Sequence, residues 1–226
     1  MRLAIPDTVR RIPIDNPSLA IREFAAILGE LRDLPSATAD LEPIATEAVE
    51  TAVREGAFLM AVVTPPAAAP AVLTGVVIEV PPSWDADTAE SLRDAMEDVG
   101  GPDVRETVTL ETGLGTAVVA QRVPGPEQAR ERRALTVQLQ AFIPEPGTGR
   151  MLLLTLACPS TDGWAAHQEV FARLVTSAQP DDAPVDAPVE VPEPEPEREP
   201  VAAAPARRRH APVADEESFE EHTYQV

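Results

Sequence analysis

Cys158, Asp162 and His167 lie within ten positions of one another, and their types are those of a nucleophile, an orienting carboxylate and a base. A thiol activated by a neighbouring imidazole, with the ring held by an acid, is the arrangement of a hydrolase using Cys158 or His167. The same residues have a plainer reading. A cysteine at the end of a strand packs as a small apolar side chain, and a single helical histidine is commonly solvated or packed in a core. Nothing around Cys158 in the sequence marks a depressed thiol pKa. Catalysis therefore stands as the alternative, and a non-enzymatic role as the main expectation.

Other candidate chemistry is weaker. The remaining histidines, His210 and His222, are far along the chain, and with one cysteine they offer no metal-ligand spacing, so neither metal nor cofactor is expected. Gly113-Leu-Gly115 and Gly147-Thr-Gly149 do not lead from a strand into a helix, the context a phosphate cradle requires, and hairpin turns explain both. The pairs Asp85/Asp87 and Glu97/Asp98 fall at helix ends, where capping and solvation are ordinary. Trp84 and Trp164 stand at or just before helix starts and are candidate anchors of a partner groove, with core packing as the plainer alternative. An apolar groove between the sheet and the last helix is the expected place for a ligand or partner.

The elements that position these residues follow from hydrophobic periodicity. From Leu135 to Ile143 apolar residues alternate with Thr136, Gln138 and Gln140, the period of a half-buried strand. Pro144 to Gly149 reads as a hairpin loop, and Met151 to Ala157 as a central strand ended by Pro159. Thr161 or Asp162 is positioned to cap a helix in which Trp164, Phe171, Leu174, Val175 and Ala178 form one stripe.

Earlier in the chain, Ile12 and Ile14 close a short strand. Asn16-Pro17 opens a helix with Ala20, Phe24, Ile27, Leu28, Leu31 and Leu34 inward, ended by Pro35. Asp40 is positioned to cap a second helix carrying Leu41, Ile44, Ala45, Ala48, Val49 and Ala52. Phe58–Val63 and Val72–Val80 read as strands, since Pro65, Pro66 and Pro70 interrupt the uncharged run Gly56–Ile78 and argue against a membrane span. Asp87-Thr-Ala-Glu90 looks like a capping box, for a helix with Ala89, Leu92, Met96 and Val99 inward. Val104–Leu110 and Thr116–Val123 form a hairpin. The pattern predicts an α+β fold, an antiparallel sheet of about six strands flanked by helices.

Residues 1–178 carry 25 Asp/Glu against 14 Arg, and residues 179–226 carry 13 against 4, within a net charge of −20 and no lysine. The predicted organisation is a globular domain over 1–178 and a disordered acidic Pro/Glu-rich tail over 179–226. Such a charge repels phosphate backbones and anionic lipid, so nucleic acid is not an expected partner and a protein is. In the tail, Arg207, Arg208 and Arg209 sit between acidic runs, and Phe219 and Tyr224 are the only aromatics of an acidic end. These five residues are candidate partner contacts in a linear motif. The N-terminus lacks a secretory h-region, so the expected setting is cytoplasmic.

The run Gln138-Leu-Gln-Ala-Phe-Ile-Pro-Glu-Pro-Gly-Thr-Gly-Arg-Met-Leu-Leu-Leu-Thr-Leu-Ala-Cys-Pro159, with Trp164 and Phe171-Ala-Arg-Leu-Val-Thr-Ser177, resembles the closing hairpin and helix of small actinobacterial proteins with the Mog1/PsbP-like fold. The resemblance covers about a quarter of the chain. It implies an antiparallel sheet flanked by helices, used for binding or assembly, as in a Ran-binding factor, a photosystem subunit and bacterial lipoproteins. It carries over no functional residue. The lipidation cysteine of the lipoprotein members has no counterpart near the start of this sequence. The function expected is a protein-binding or assembly scaffold whose tail recruits a partner. A secretion or phage-like assembly accessory or chaperone is a further alternative.

Overall fold

The structure is a computed structural model that describes residues 1–32, 38–80, 83–125 and 136–181. Seven strands form one antiparallel sheet: β1 (Val9–Arg11), β2 (Ala57–Val63), β3 (Ala71–Glu79), β4 (Val104–Thr112), β5 (Gly115–Arg122), β6 (Val137–Glu145) and β7 (Arg150–Cys158). Their order across the sheet is β1-β2-β3-β7-β6-β5-β4, so the last strand in sequence is the central one. Among the described residues four helices flank it: α1 (Pro17–Leu31), α2 (Thr38–Arg54), α3 (Ala86–Val99) and α4 (Trp164–Thr176). The α+β architecture follows the predicted pattern, with one strand more than the six expected.

Alternation within each strand divides the core. Leu59, Ala61 and Val63 of β2, Leu73 of β3, Leu154 and Leu156 of β7, and Leu139 and Ala141 of β6 face α4, which contributes Phe171, Leu174 and Val175. Burying each of these three helical side chains stabilises the fold by about 1.5–3 kcal/mol. Met60 and Val62 point the other way, into a cluster with Phe24, Ile27 and Val49 of α1 and α2. Val118 and Ala120 meet Ala89 and Met96 of α3 on that same opposite face. A single sheet thus carries one helix on one side and two separate helical blocks on the other.

Several local expectations shift. The first strand ends before Ile12 and Ile14, which instead plug the α1/α2 cluster, with the Ile12 amide donating to the Met60 carbonyl at 2.8 Å. Asn16 caps α1 as expected, its side chain accepting from the Leu19 amide. Asp40 lies inside α2 rather than ahead of it, and Ile44 is exposed. Leu34 and Pro35 fall outside the described residues. Pro144 belongs to β6, opposite Met151. It is tolerated because pairing with β5 stops at Phe142, so a missing N–H at Pro144 forfeits no ladder bond on that side.

Asp85, not Asp87, caps α3, accepting hydrogen bonds from the Thr88 hydroxyl at 2.6 Å and the Thr88 amide at 2.8 Å. The Trp84 indole N–H donates to the Thr116 carbonyl at 3.0 Å, which fixes where the chain enters the helix and so selects the earlier aspartate. Val99, expected inward, is 82% exposed. The hydroxyl of Thr88, then its amide, holds the Asp85 carboxyl below the usual carboxylate range. A folded pKa below the unfolded one gives stability that is present above the unfolded pKa and lost as pH falls through the folded one. Asp85→Ala is accordingly expected to lower Tm at neutral pH, with the deficit shrinking in acid. Paired melts from neutral to acidic pH check this, and a constant deficit would remove the charge from the explanation.

The uncharged run from Gly56 to Ile78 folds as the β2–β3 hairpin. Among the described residues no helix is long and apolar enough to cross a membrane.

Candidate functional site

Folding brings Cys158 and His167 together. The thiol at the end of β7 and the ring on the first turns of α4 are both fully buried, with Sγ 3.8 Å from Nε2. The proton arrangement opposes nucleophilic activation. His167 Nε2 lies 2.7 Å from the Ala69 carbonyl oxygen, which can only accept, so that nitrogen carries the proton and has no lone pair for the thiol. His167 Nδ1 is buried with no hydrogen-bond partner among the described residues. Cys158 Sγ also lies 3.8 Å from the Pro70 carbonyl, the kind of acceptor a thiol donates to weakly. Asp162 is exposed, and its backbone carbonyl, rather than its carboxylate, is engaged, accepting from the Ala69 amide at 3.1 Å.

These contacts make a latch between the Pro65–Pro70 loop and the start of α4. Its tightest point is Gly163, the N-cap of α4, at φ +71° with no side-chain cap. Thr161 and Asp162, the expected caps, are displaced because the loop docks against the helix start. A Cβ on Gly163 would come within 2.4 Å of Ala68 Cβ and 2.5 Å of Ala68 Cα. Ala67, on the same loop, also has positive φ.

The two tryptophans are not brought together. Trp84 packs with the α3 cluster on one face. Trp164 packs with the α4 cluster on the other, its indole N–H donating to Gln121 Oε1 at 3.3 Å. Gln168 donates to the same oxygen at 2.8 Å. Both indole N–H groups are satisfied within the chain. Arg207, Arg208, Arg209, Phe219 and Tyr224 lie outside the described residues.

Two apolar grooves open on the α4 side of the sheet. One, of about 160 Å³, runs between α4 and the β4 edge, in the place expected from the sequence, and is lined by Val108, Leu110, Val119 and Phe171. The other, of about 300 Å³, was not legible in the sequence. Its wall is the N-terminal segment, with Leu3 and Ile5, and its floor is Phe58, Leu59, Val77 and Leu152. That segment is held in place by Arg2, paired with Gln179 beyond α4, and by the Ala4 amide donating to Ser177 Oγ at 2.9 Å. Phe58 and Val77 remain 46% and 49% exposed. Phe58 occupies the irregularity between Ala57 and Leu59 in the β2–β3 ladder. Arg11 and Arg150 stand at the rim; Arg150 is paired with Glu145 at 2.8 Å, whereas the Arg11 guanidinium makes no hydrogen bond or ion pair among the described residues, its backbone alone pairing with Ala61.

Among solved structures, the crystal structure of LpqN, involved in cell envelope biogenesis of Mycobacterium tuberculosis, is similar to this chain. The match covers 78% of this chain and 80% of that one, at 13% identity and a TM-score of 0.41. No protein-family model matches the sequence, and no curated protein does. No site residue is carried across at that distance.

Proposed function

We propose that this chain is a non-enzymatic protein-binding or assembly domain of the Mog1/PsbP-like kind, acting in the cytoplasm of an actinobacterium. The observation that carries the reading is the larger groove, where a half-exposed phenylalanine and valine line an apolar floor beside an unengaged arginine. An apolar floor with few polar groups at its rim is the usual make-up of a recognition site. Arg11 suits an acidic residue of the partner next to an apolar anchor.

The acidic segment beyond Asp181, with Arg207 to Arg209, Phe219 and Tyr224, acts in this reading as a second, tethered contact that raises the effective concentration of the partner. Removing residues 182–226 spares Gln179 and Asp181, which bond to the N-terminal segment. Tm is expected to stay unchanged while retention of partner from native extract falls; equal retention would end the tail's role. The hydrolase alternative is disfavoured by the buried, proton-satisfied pairing of Cys158 and His167.

A further inference from the structure

The sheet has two outer strands of unequal length. β1 has three residues, too few to template another chain. β4 has nine, pairs only with β5, and has no strand on its other side among the described residues. Proteins guard such an edge with charge, a bulge or brevity. Here the charges Arg105, Glu106 and Glu111 and a ladder irregularity beside Arg105 flank the centre, Thr107-Val108-Thr109, in which Val108 is 40% exposed.

We propose that β4 is a self-association edge, pairing antiparallel with β4 of a second copy about a two-fold axis at Val108. The β4–β5 hairpin closes on Thr112 opposite Gly115. Counting back from that pair, ladder alternation turns the amides and carbonyls of Thr107, Thr109 and Glu111 outward, where they are available to a new strand.

The sequence selects the register. About Val108, each Thr107, whose hydroxyl donates to Glu97 of its own chain, faces Thr109 of the second copy, each Glu106 faces Leu110, and each Arg105 faces Glu111, which gives two threonine contacts and two ion pairs. A shift to the neighbouring two-fold position on one side puts Asp103 against Glu111, and on the other leaves Arg105 opposite Gly113. A one-residue slip would turn the side chains to the wrong face. The Arg105 guanidinium makes no hydrogen bond or ion pair among the described residues, and the ladder is regular from Glu106 to Thr112. Arg105 sits at the irregularity itself, and in the proposed pairing its long side chain would carry the charge to Glu111 from there. Val108 would meet its own counterpart on the α4 side, covering the open flank of the smaller groove.

Two acidic chains repel, and one strand pair buries little, so association is weak and the local charge match decides it. Sedimentation equilibrium of the full-length chain over a concentration series, at physiological ionic strength, tests the pairing. The expected result is a reversible monomer–dimer equilibrium. Arg105→Glu or Glu111→Arg alone should weaken association about tenfold, since two attractive pairs become repulsive, and the double exchange should restore it. Glu111→Arg also removes the hydrogen bond Glu111 accepts from Thr116, so Arg105→Glu is the cleaner single variant. A monomer at every concentration, single variants that associate like the parent, or a double exchange no better than the singles would each overturn the proposal.

Discussion

Gly163→Ala is expected to be the most damaging conservative substitution in the chain. Two penalties coincide at this position. A non-glycine residue at φ +71° costs about 1–2 kcal/mol in backbone strain. The new Cβ would also fall 2.5 Å from Ala68 Cα, and the obstruction is backbone that cannot rotate away. Relieving such an overlap typically costs a further ~1–3 kcal/mol. Together the loss is about 2–5 kcal/mol, a Tm lower by roughly 10 °C for a chain of this size. Gly147 offers the control: it too has positive φ, but nothing lies within 4 Å of its added Cβ. Gly147→Ala should therefore show the strain alone, and equal melts for the two variants would refute the latch.

The second large effect is expected at His167. Truncation to alanine removes a fully buried ring and leaves the Ala69 carbonyl without the donor now 2.7 Å away. A half-buried acceptor left with only the Cys158 thiol, 4.0 Å away, costs about 1 kcal/mol, and the cavity adds about 2–4 kcal/mol, for a total of roughly 3–5 kcal/mol by thermal or denaturant unfolding. Cys158→Ala removes only a sulfur and should cost about 1 kcal/mol. Native Cys158, buried and lacking a free base, should resist thiol reagents until the chain is unfolded. Fast labelling of the folded chain, with His167→Ala as stable as the parent, would return the pair to candidacy as chemistry.

The sheet was legible because its strands advertise their faces. Alternation from Val137 to Ile143 gives β6 its two sides, and the proline-interrupted run from Gly56 to Ile78 separates into a hairpin as the missing donors require. Helix stripes were legible for the same reason, except where the stripe outran the surface it covers, as at Val99. Caps were less legible, because tertiary contacts chose among adequate local candidates. Trp84 bonded to Thr116 decides for Asp85, and the loop at Ala68 decides for a glycine over Thr161 or Asp162.

The proximity of Cys158 and His167 was visible in sequence, but the Ala69 carbonyl that takes the imidazole proton was not, being 98 positions away. The larger groove was hidden for a similar reason. Its wall is held by Arg2 meeting Gln179 and Ala4 meeting Ser177, pairings across nearly the whole described chain with no local signature. Phe58 was one apolar residue among several in a strand; only the irregularity at that point of the ladder turns it into an exposed floor residue.

The groove itself can be tested by comparing the full-length chain with Phe58→Glu and Val99→Glu as baits in native extract, followed by titration of any retained protein. Both substitutions place one negative charge on an exposed apolar residue, but Val99 is on α3, on the opposite face of the sheet. The expected result is a protein retained by the parent and by Val99→Glu, with affinity reduced at least about tenfold by Phe58→Glu, as for a central apolar anchor. Equal binding by all three chains, with Phe58→Glu folded, would contradict partner recognition through this groove.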